Sequence, residues 1–215
     1  LPRRPVTTVI FTHSHVDHFG GVFGVVTPEA VATGDVTVIA PLGFMAEATS
    51  EMVLVGQTMT RRADYMYGRR LARGARGHVG SGLGKQPAFG QVAIAAPSLI
   101  IRDALERHRI DGVDFIFQTV SGSEAPAEIP FYLPASRAFC GAELVSRNLH
   151  NLYTLRGAKV RDALKWSGFI DDALHYFSAT EVIFNSHHWP VWGAENATDF
   201  LEKQRDIYKY IHDQT

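Results

Sequence analysis

Three histidines and one aspartate, His13, His15, Asp17 and His18, fall within six residues, and no other feature constrains this chain as much. They sit in the stretch T-H-S-H-V-D-H-F-G-G, directly after residues 6–12, an apolar and β-branched run that suits a buried strand. In a loop leaving a strand, alternate residues can project the same way. His13 and His15 can therefore reach one metal ion while Asp17 and His18 reach a second beside it. Neutral imidazole and carboxylate are the ligands zinc accepts where no thiolate is offered. Gly20 and Gly21 then let the backbone turn tightly into a helix. The alternative, plain surface or core histidines, packs four polar side chains beside an apolar strand with no shared partner, at a large desolvation cost.

Composition narrows the ligand chemistry further. Cys140 is the only cysteine, which excludes an internal disulfide framework and a Cys-rich zinc site, so a metal here needs His and carboxylate donors. The 215 residues, 46% hydrophobic and 20% charged, are enough for one domain with one sizeable core. A formal net charge of -1 lacks the excess of Lys and Arg that nucleic acids or anionic membranes require, which points to a small-molecule partner. No apolar run is long enough to span a membrane, and no signal-peptide pattern opens the chain. The sequence starts on Leu1 and stops at Thr215 inside a helical pattern, so both ends are expected to be cut, and the compartment stays undecided.

Strand and helix patterns alternate along the chain. A second buried strand is expected at residues 36–40, a long helix over 43–71, strands over 98–102 and 128–133, and a hairpin turning on Asp111-Gly112. A helix over 159–177, a strand from 181 into His187 and His188, and a last helix from about Asn196 complete the pattern. This is a layered α/β domain without an internal repeat. The run Arg61, Arg62, Arg69, Arg70, Arg73 and Arg76 reads as a solvated helix face and is given no site role. Residues 74–90 are Gly-rich, but Val79 and Gln86 break the phosphate-loop pattern and no strand leads in, so they read as a loop near a site.

His-x-His-x-Asp-His resembles the signature of the metallo-β-lactamase superfamily. Four further stretches, S-G-S-E-A-P-A-E-I, F-C-G-A-E, N-L-H-N-L-Y-T-L-R-G and S-H-H-W-P-V-W-G, resemble the alkylsulfatase branch, which cleaves dodecyl sulfate and related esters. The likeness implies an αβ/βα sandwich, here a partial domain without its N-terminal strands, over residues 1–215. It implies two zinc ions per subunit: His13, His15 and Glu124 on one, Asp17, His18 and His188 on the other, with Glu143 bridging. The sequence itself does not decide between His187 and His188; the resemblance favours His188, with His187 behind it. Glutamate at the third ligand position sets the branch apart from β-lactamases and glyoxalase-type thioesterases.

For the substrate, Arg156 would hold the sulfate, with Asn151 and Thr154 orienting it, although each also suits a loop or packing role. Trp189 and Trp192 read as core or pocket wall. Phe89, the Met-bearing helix and Phe131 are candidates for an apolar groove. The reaction implied is hydrolysis of an alkyl sulfate to alcohol and sulfate by a water that the metal pair activates, with Asp17 and Glu143 in the catalytic centre. The residue that protonates the departing alkoxide is not legible. The rivals are a related hydrolase of phosphoesters, lactones or thioesters, and an inactive metal-binding fragment. A homodimer is also implied, its helical dimerisation region beginning near 196–215.

Overall fold

Two sheets of different make organise the chain. The computed structural model describes residues 4–84 and 90–215, so Gln86 and Phe89 lie outside the described residues. β1 (Thr8–Ile10), β2 (Thr37–Pro41) and β3 (Leu99–Ile101) form a parallel sheet in that order. Parallel neighbours need crossovers. The first contains α1 (Val16–Phe19) and α2 (Pro28–Ala32); the second contains α3 (Phe44–Thr49), a π-helical turn at Ser50–Leu54, and α4 (Gly56–Met66).

The second sheet has the order β4-β5-β6-β7-β8-β9, with β4 (Leu105–Ile110), β5 (Val113–Gln118), β6 (Phe131–Leu133), β7 (Ala138–Cys140), β8 (Val182–Phe184) and β9 (Val191–Trp192). Its strands pair antiparallel except β7 with β8, which are parallel and separated in sequence by α5 (Ala163–Tyr176). Asp111 and Gly112, with φ of 49° and 82°, make the two-residue turn joining β4 to β5. Positive φ at both central residues matches the right-handed twist of the flanking strands, and a D-G pair tolerates it.

Alternation along the strands sorts the apolar side chains into three cores. On β2, Val38 and Ala40 join Phe11, Phe19, Phe44 and Ala48 on the helical side, while Ile39 faces the other way, onto Ile101, Phe117 and Ile129. On β5, Phe117 belongs to this inter-sheet core and its neighbour Ile116 to a third core with Trp166, Ile170, Leu201 and Tyr208. The layers are therefore helices, three-stranded sheet, six-stranded sheet, and helices α5 and α6 (Ala194–Gln214). The segment expected to open a dimerisation region is α6, which packs along α5 through Ala197, Leu201 and Tyr208.

Several expectations change in detail. The helix expected over 43–71 is broken into α3, the π turn and α4, where β-branched Val53 and Val55 precede Gly56. The helix expected from 159 starts at Ala163, where the Asp162 carboxylate accepts a hydrogen bond from Lys165 N at 3.0 Å. Trp192, 66% exposed on β9 at the edge of its sheet, is neither core nor pocket wall. Trp189, 86% exposed, lines the wall of a small cavity beside His187 and His188. Phe131 packs against the inter-sheet core.

Candidate metal centre

The chain leaves β1 through buried Phe11, whose N–H donates to Ile39 O at 2.8 Å. Two further backbone bonds, Ile129 N to Thr12 O (2.8 Å) and Ser14 N to Ala127 O (3.2 Å), lash the His loop to the segment before β6. His15 is the extended residue that starts α1, and one turn of helix carries Asp17 and His18 to the same region. Gly20 ends that turn with its N–H bonded to Val16 O, and a Cβ there would lie 2.7 Å from the same oxygen. Only glycine fits so close an approach.

Long-range folding then brings the carboxylates. His13 Nε2 lies 3.1 Å from Glu143 Oε2 and 3.8 Å from Glu124 Oε2, and His15 Nδ1 lies 2.9 Å from Glu124 Oε2. His18 Nε2 is 3.2 Å from both Asp17 Oδ2 and Glu143 Oε2. Two groups of donor atoms result: His13, His15, Glu124 and Glu143, and beside them Asp17, His18 and His187. Glu143 Oε2 lies within 3.3 Å of ring nitrogens of His13, His18 and His187, so one carboxylate reaches both groups.

The side chains fit a cation. His13 Nε2 and Glu124 Oε2 are buried and make no hydrogen bond of acceptable geometry, although other donor atoms crowd them. Two unpartnered polar atoms lie where seven side chains able to hold a metal ion meet, an arrangement that a cation would satisfy. Burial and the charge of His18 hold His13 down at about 4, leaving it neutral. Burial also opposes charge on His18, yet hydrogen bonds to Asp17 and Glu143 push it up to about 10. Glu143 is held well below the usual carboxylate range, against burial, by the surrounding His13, His150, His18 and His187.

His187, rather than the expected His188, stands among the grouped donor atoms. His187 Nε2 lies 3.1 Å from His18 Nε2 and 3.6 Å from Asp17 Oδ2, whereas His188 lines only the smaller neighbouring cavity that His187 also borders. Consecutive side chains outside a helix leave the backbone in different directions, so only one of the two faces the centre. The three residues expected at the sulfate line a cavity of about 1380 Å³ that opens on the donor groups, and each has an internal partner. Arg156 is ion-paired with Glu51, Asn151 Oδ1 accepts from Arg161 Nη1 at 2.8 Å, and Thr154 Oγ1 accepts from Ala158 N at 3.0 Å.

Four residues at the centre were not singled out by sequence. Arg161 pairs with Glu124 and bonds its backbone carbonyl. His150 Nε2 lies 3.3 Å from Glu124 Oε1 and 3.5 Å from Glu143 Oε1, with Nδ1 donating to Asn151 O. Glu51, on the π-helical turn, lies 3.6 Å from His15 Nε2. Glu128, fully buried, accepts from the backbone N–H of both Ala125 and Glu143. The position of His150 inside N-L-H-N-L-Y and of Glu128 inside S-G-S-E-A-P-A-E-I hinted at those two; the contacts of Arg161 and Glu51 join residues whose relation is set by the fold.

Comparison with known proteins agrees with this geometry. The sequence pattern of the metallo-beta-lactamase superfamily matches residues 1–119, which include the whole His loop. The chain is 48% identical over 215 residues to an alkyl/aryl-sulfatase of Saccharomyces cerevisiae, covering 100% of this chain and 33% of that protein. It is 46% identical over 215 residues to a linear primary-alkylsulfatase of Pseudomonas sp., covering 100% of this chain and 32% of that protein. The solved structure of a stereoselective inverting sec-alkylsulfatase from Pseudomonas sp. superposes with a TM-score of 0.95 at 41% identity, over 100% of this chain and 34% of that one. The chain thus spans about a third of the length of these relatives. On the matched pattern, the layers and the His loop that β1 delivers, it belongs to the metallo-β-lactamase superfamily.

Proposed function

We propose that this centre holds two zinc ions and hydrolyses alkyl sulfate esters to an alcohol and inorganic sulfate. The observation that carries the two-metal reading is Glu143 Oε2, within 3.3 Å of three histidine nitrogens drawn from both donor groups. Likeness to proteins named as alkyl sulfatases supplies the substrate class. His13, His15 and Glu124 would hold one ion and Asp17, His18 and His187 the other, with Glu143 between. Bound there, the ions would supply Lewis acidity and lower the pKa of a water. No thiolate competes, since Cys140 is buried and its thiol is pushed up to about 12 by that burial.

The protein's own groups divide the remaining work. Arg156 lies close enough to His15 for its charge to oppose protonation there, which places a guanidinium beside the donor groups. One of its N–H groups meets Glu51, leaving others for sulfate oxygens. His150, outside both donor groups, lines the cavity that opens on them and would be the imidazole free to serve the leaving group. Met52, Met59, Met66, Val92 and Leu149 line the same cavity and give an alkyl chain an apolar, adaptable wall.

Arg156 gives the sharpest test against a phosphoester, lactone or thioester hydrolase. Arg156→Lys keeps the charge but loses the planar fork, so turnover of dodecyl sulfate should fall, and Arg156→Ala should fall further. Loss of a charge-assisted contact in a partly desolvated site is worth about 2 to 5 kcal/mol, a rate loss of roughly thirtyfold or more. Metal content and turnover of a neutral ester should hold. If every substrate falls together with the folded fraction, Arg156 serves only its pair with Glu51 and the sulfate reading fails.

A further inference from the structure

We infer that Glu128 is a positioning residue that fixes the separation of the two carboxylate ligands, Glu124 and Glu143; the inference rests on reading the centre as a metal site. Glu128 is fully buried and belongs to neither donor group. Its Oε2 accepts from the N–H of Ala125 at 3.2 Å and lies 2.8 Å from the hydroxyl of Ser123, the two residues that flank Glu124. Its Oε1 accepts from the N–H of Glu143 itself at 3.0 Å. One side chain therefore meets the Ser123 hydroxyl and the Ala125 N–H on either side of one ligand, and the backbone N–H of the other.

The backbone of the same residue reaches the histidines. Glu128 faces His13 in an isolated antiparallel bridge, flanked by the bonds from Ser14 N to Ala127 O and from Ile129 N to Thr12 O. Its own carbonyl accepts from Val120 N at 3.0 Å, closing the turn that contains Glu124. Three ligand-bearing segments, separated in sequence, meet at this one residue.

The chemistry explains why the group is a carboxyl group rather than an amide. Burying a carboxyl group beside Glu124 and Glu143 is unfavourable, and a simple loop staple could be built from a neutral amide. A carboxyl group, however, offers an acceptor oxygen on each side. Glutamine has one. Whichever way its amide is turned, the NH2 group meets a backbone N–H, that of Ala125 or that of Glu143, and a ligand segment loses its acceptor. Groups behind metal ligands tune affinity through the ligands they orient, and losing one weakens binding by about ten- to a hundredfold.

The test compares Glu128→Gln, Ser123→Ala and a control, Gln118→Met, in the protein loaded with zinc or with cobalt. Gln118 is buried and donates to Phe169 O at 2.9 Å, so its loss destabilises the fold away from the ligands. Zinc affinity is read by chelator competition, ligand geometry from the visible absorption of the cobalt-loaded protein, and fold stability from Tm. Glu128→Gln should lose about tenfold or more in affinity for at least one zinc and shift the cobalt bands. Ser123→Ala should move both in the same direction by less. The control should lower Tm while leaving affinity and spectrum unchanged. Wild-type affinity and an unshifted spectrum in Glu128→Gln, whatever its Tm, overturn the inference. A wild-type protein that binds no zinc or cobalt overturns the metal reading and this inference together, whereas a failed sulfatase assay alone touches neither.

Discussion

His187 and His188 are chemically alike and adjacent, and what separates them is direction. His187→Ala removes a donor that stands beside His18, Asp17 and Glu143, so elemental analysis should find about one metal ion fewer per chain. His188→Ala should leave the metal count unchanged; equal losses in the two variants would show that the pair exchanges roles. The same scale shows what a sequence can and cannot reveal. His13, His15, Asp17 and His18 were legible because their relation is local, a strand end followed by one helical turn. Glu124 and Glu143 rested on resemblance, since each taken alone is an ordinary acid. Glu51 pairs with Arg156 across 105 positions and Arg161 with Glu124 across 37, and no local pattern encodes such meetings.

Among the elements, residue type decided legibility. The Asp111-Gly112 turn announced its hairpin because two positive φ values demand those residue types. Strands β7 (A-F-C) and β9 (V-W) were not expected, because neither sits in a β-branched run such as marked the equally short β1 and β8. The start of α5 was misplaced because its pattern runs on into the preceding loop, while its boundary is set by a single cap. That cap is testable. Asp162→Ala removes the acceptor of Lys165 N and should cost about 1 kcal/mol, whereas Asp162→Asn should restore most of it. In a chain of this size the loss corresponds to a Tm lower by about 2–4 °C. No change in thermal unfolding would mean that α5 is held by its buried face alone.

Across the whole molecule, the donors come from both sheets: the His loop follows β1, Glu124 lies between β5 and β6, Glu143 follows β7 and His187 follows β8. Metal uptake should depend on pH in a direction fixed by the metal-free centre. At pH 7 His18, pushed up to about 10, carries a proton that must leave before it can bind metal, while His13, held at about 4, carries none. Affinity should therefore rise from pH 7 toward 10, by about tenfold per pH unit for each proton released, and a profile flat over that range would contradict it. The layering has a mechanical consequence. Ile39, Ile101, Phe117 and Ile129 fill the gap between the sheets, and close-packed hydrocarbon yields little to compression. Their volume works as a spacer that sets the gauge of the centre, so the loops at the cavity mouth can be lengthened, shortened or rebuilt for another substrate while the distance between histidines and carboxylates stays where four apolar side chains put it.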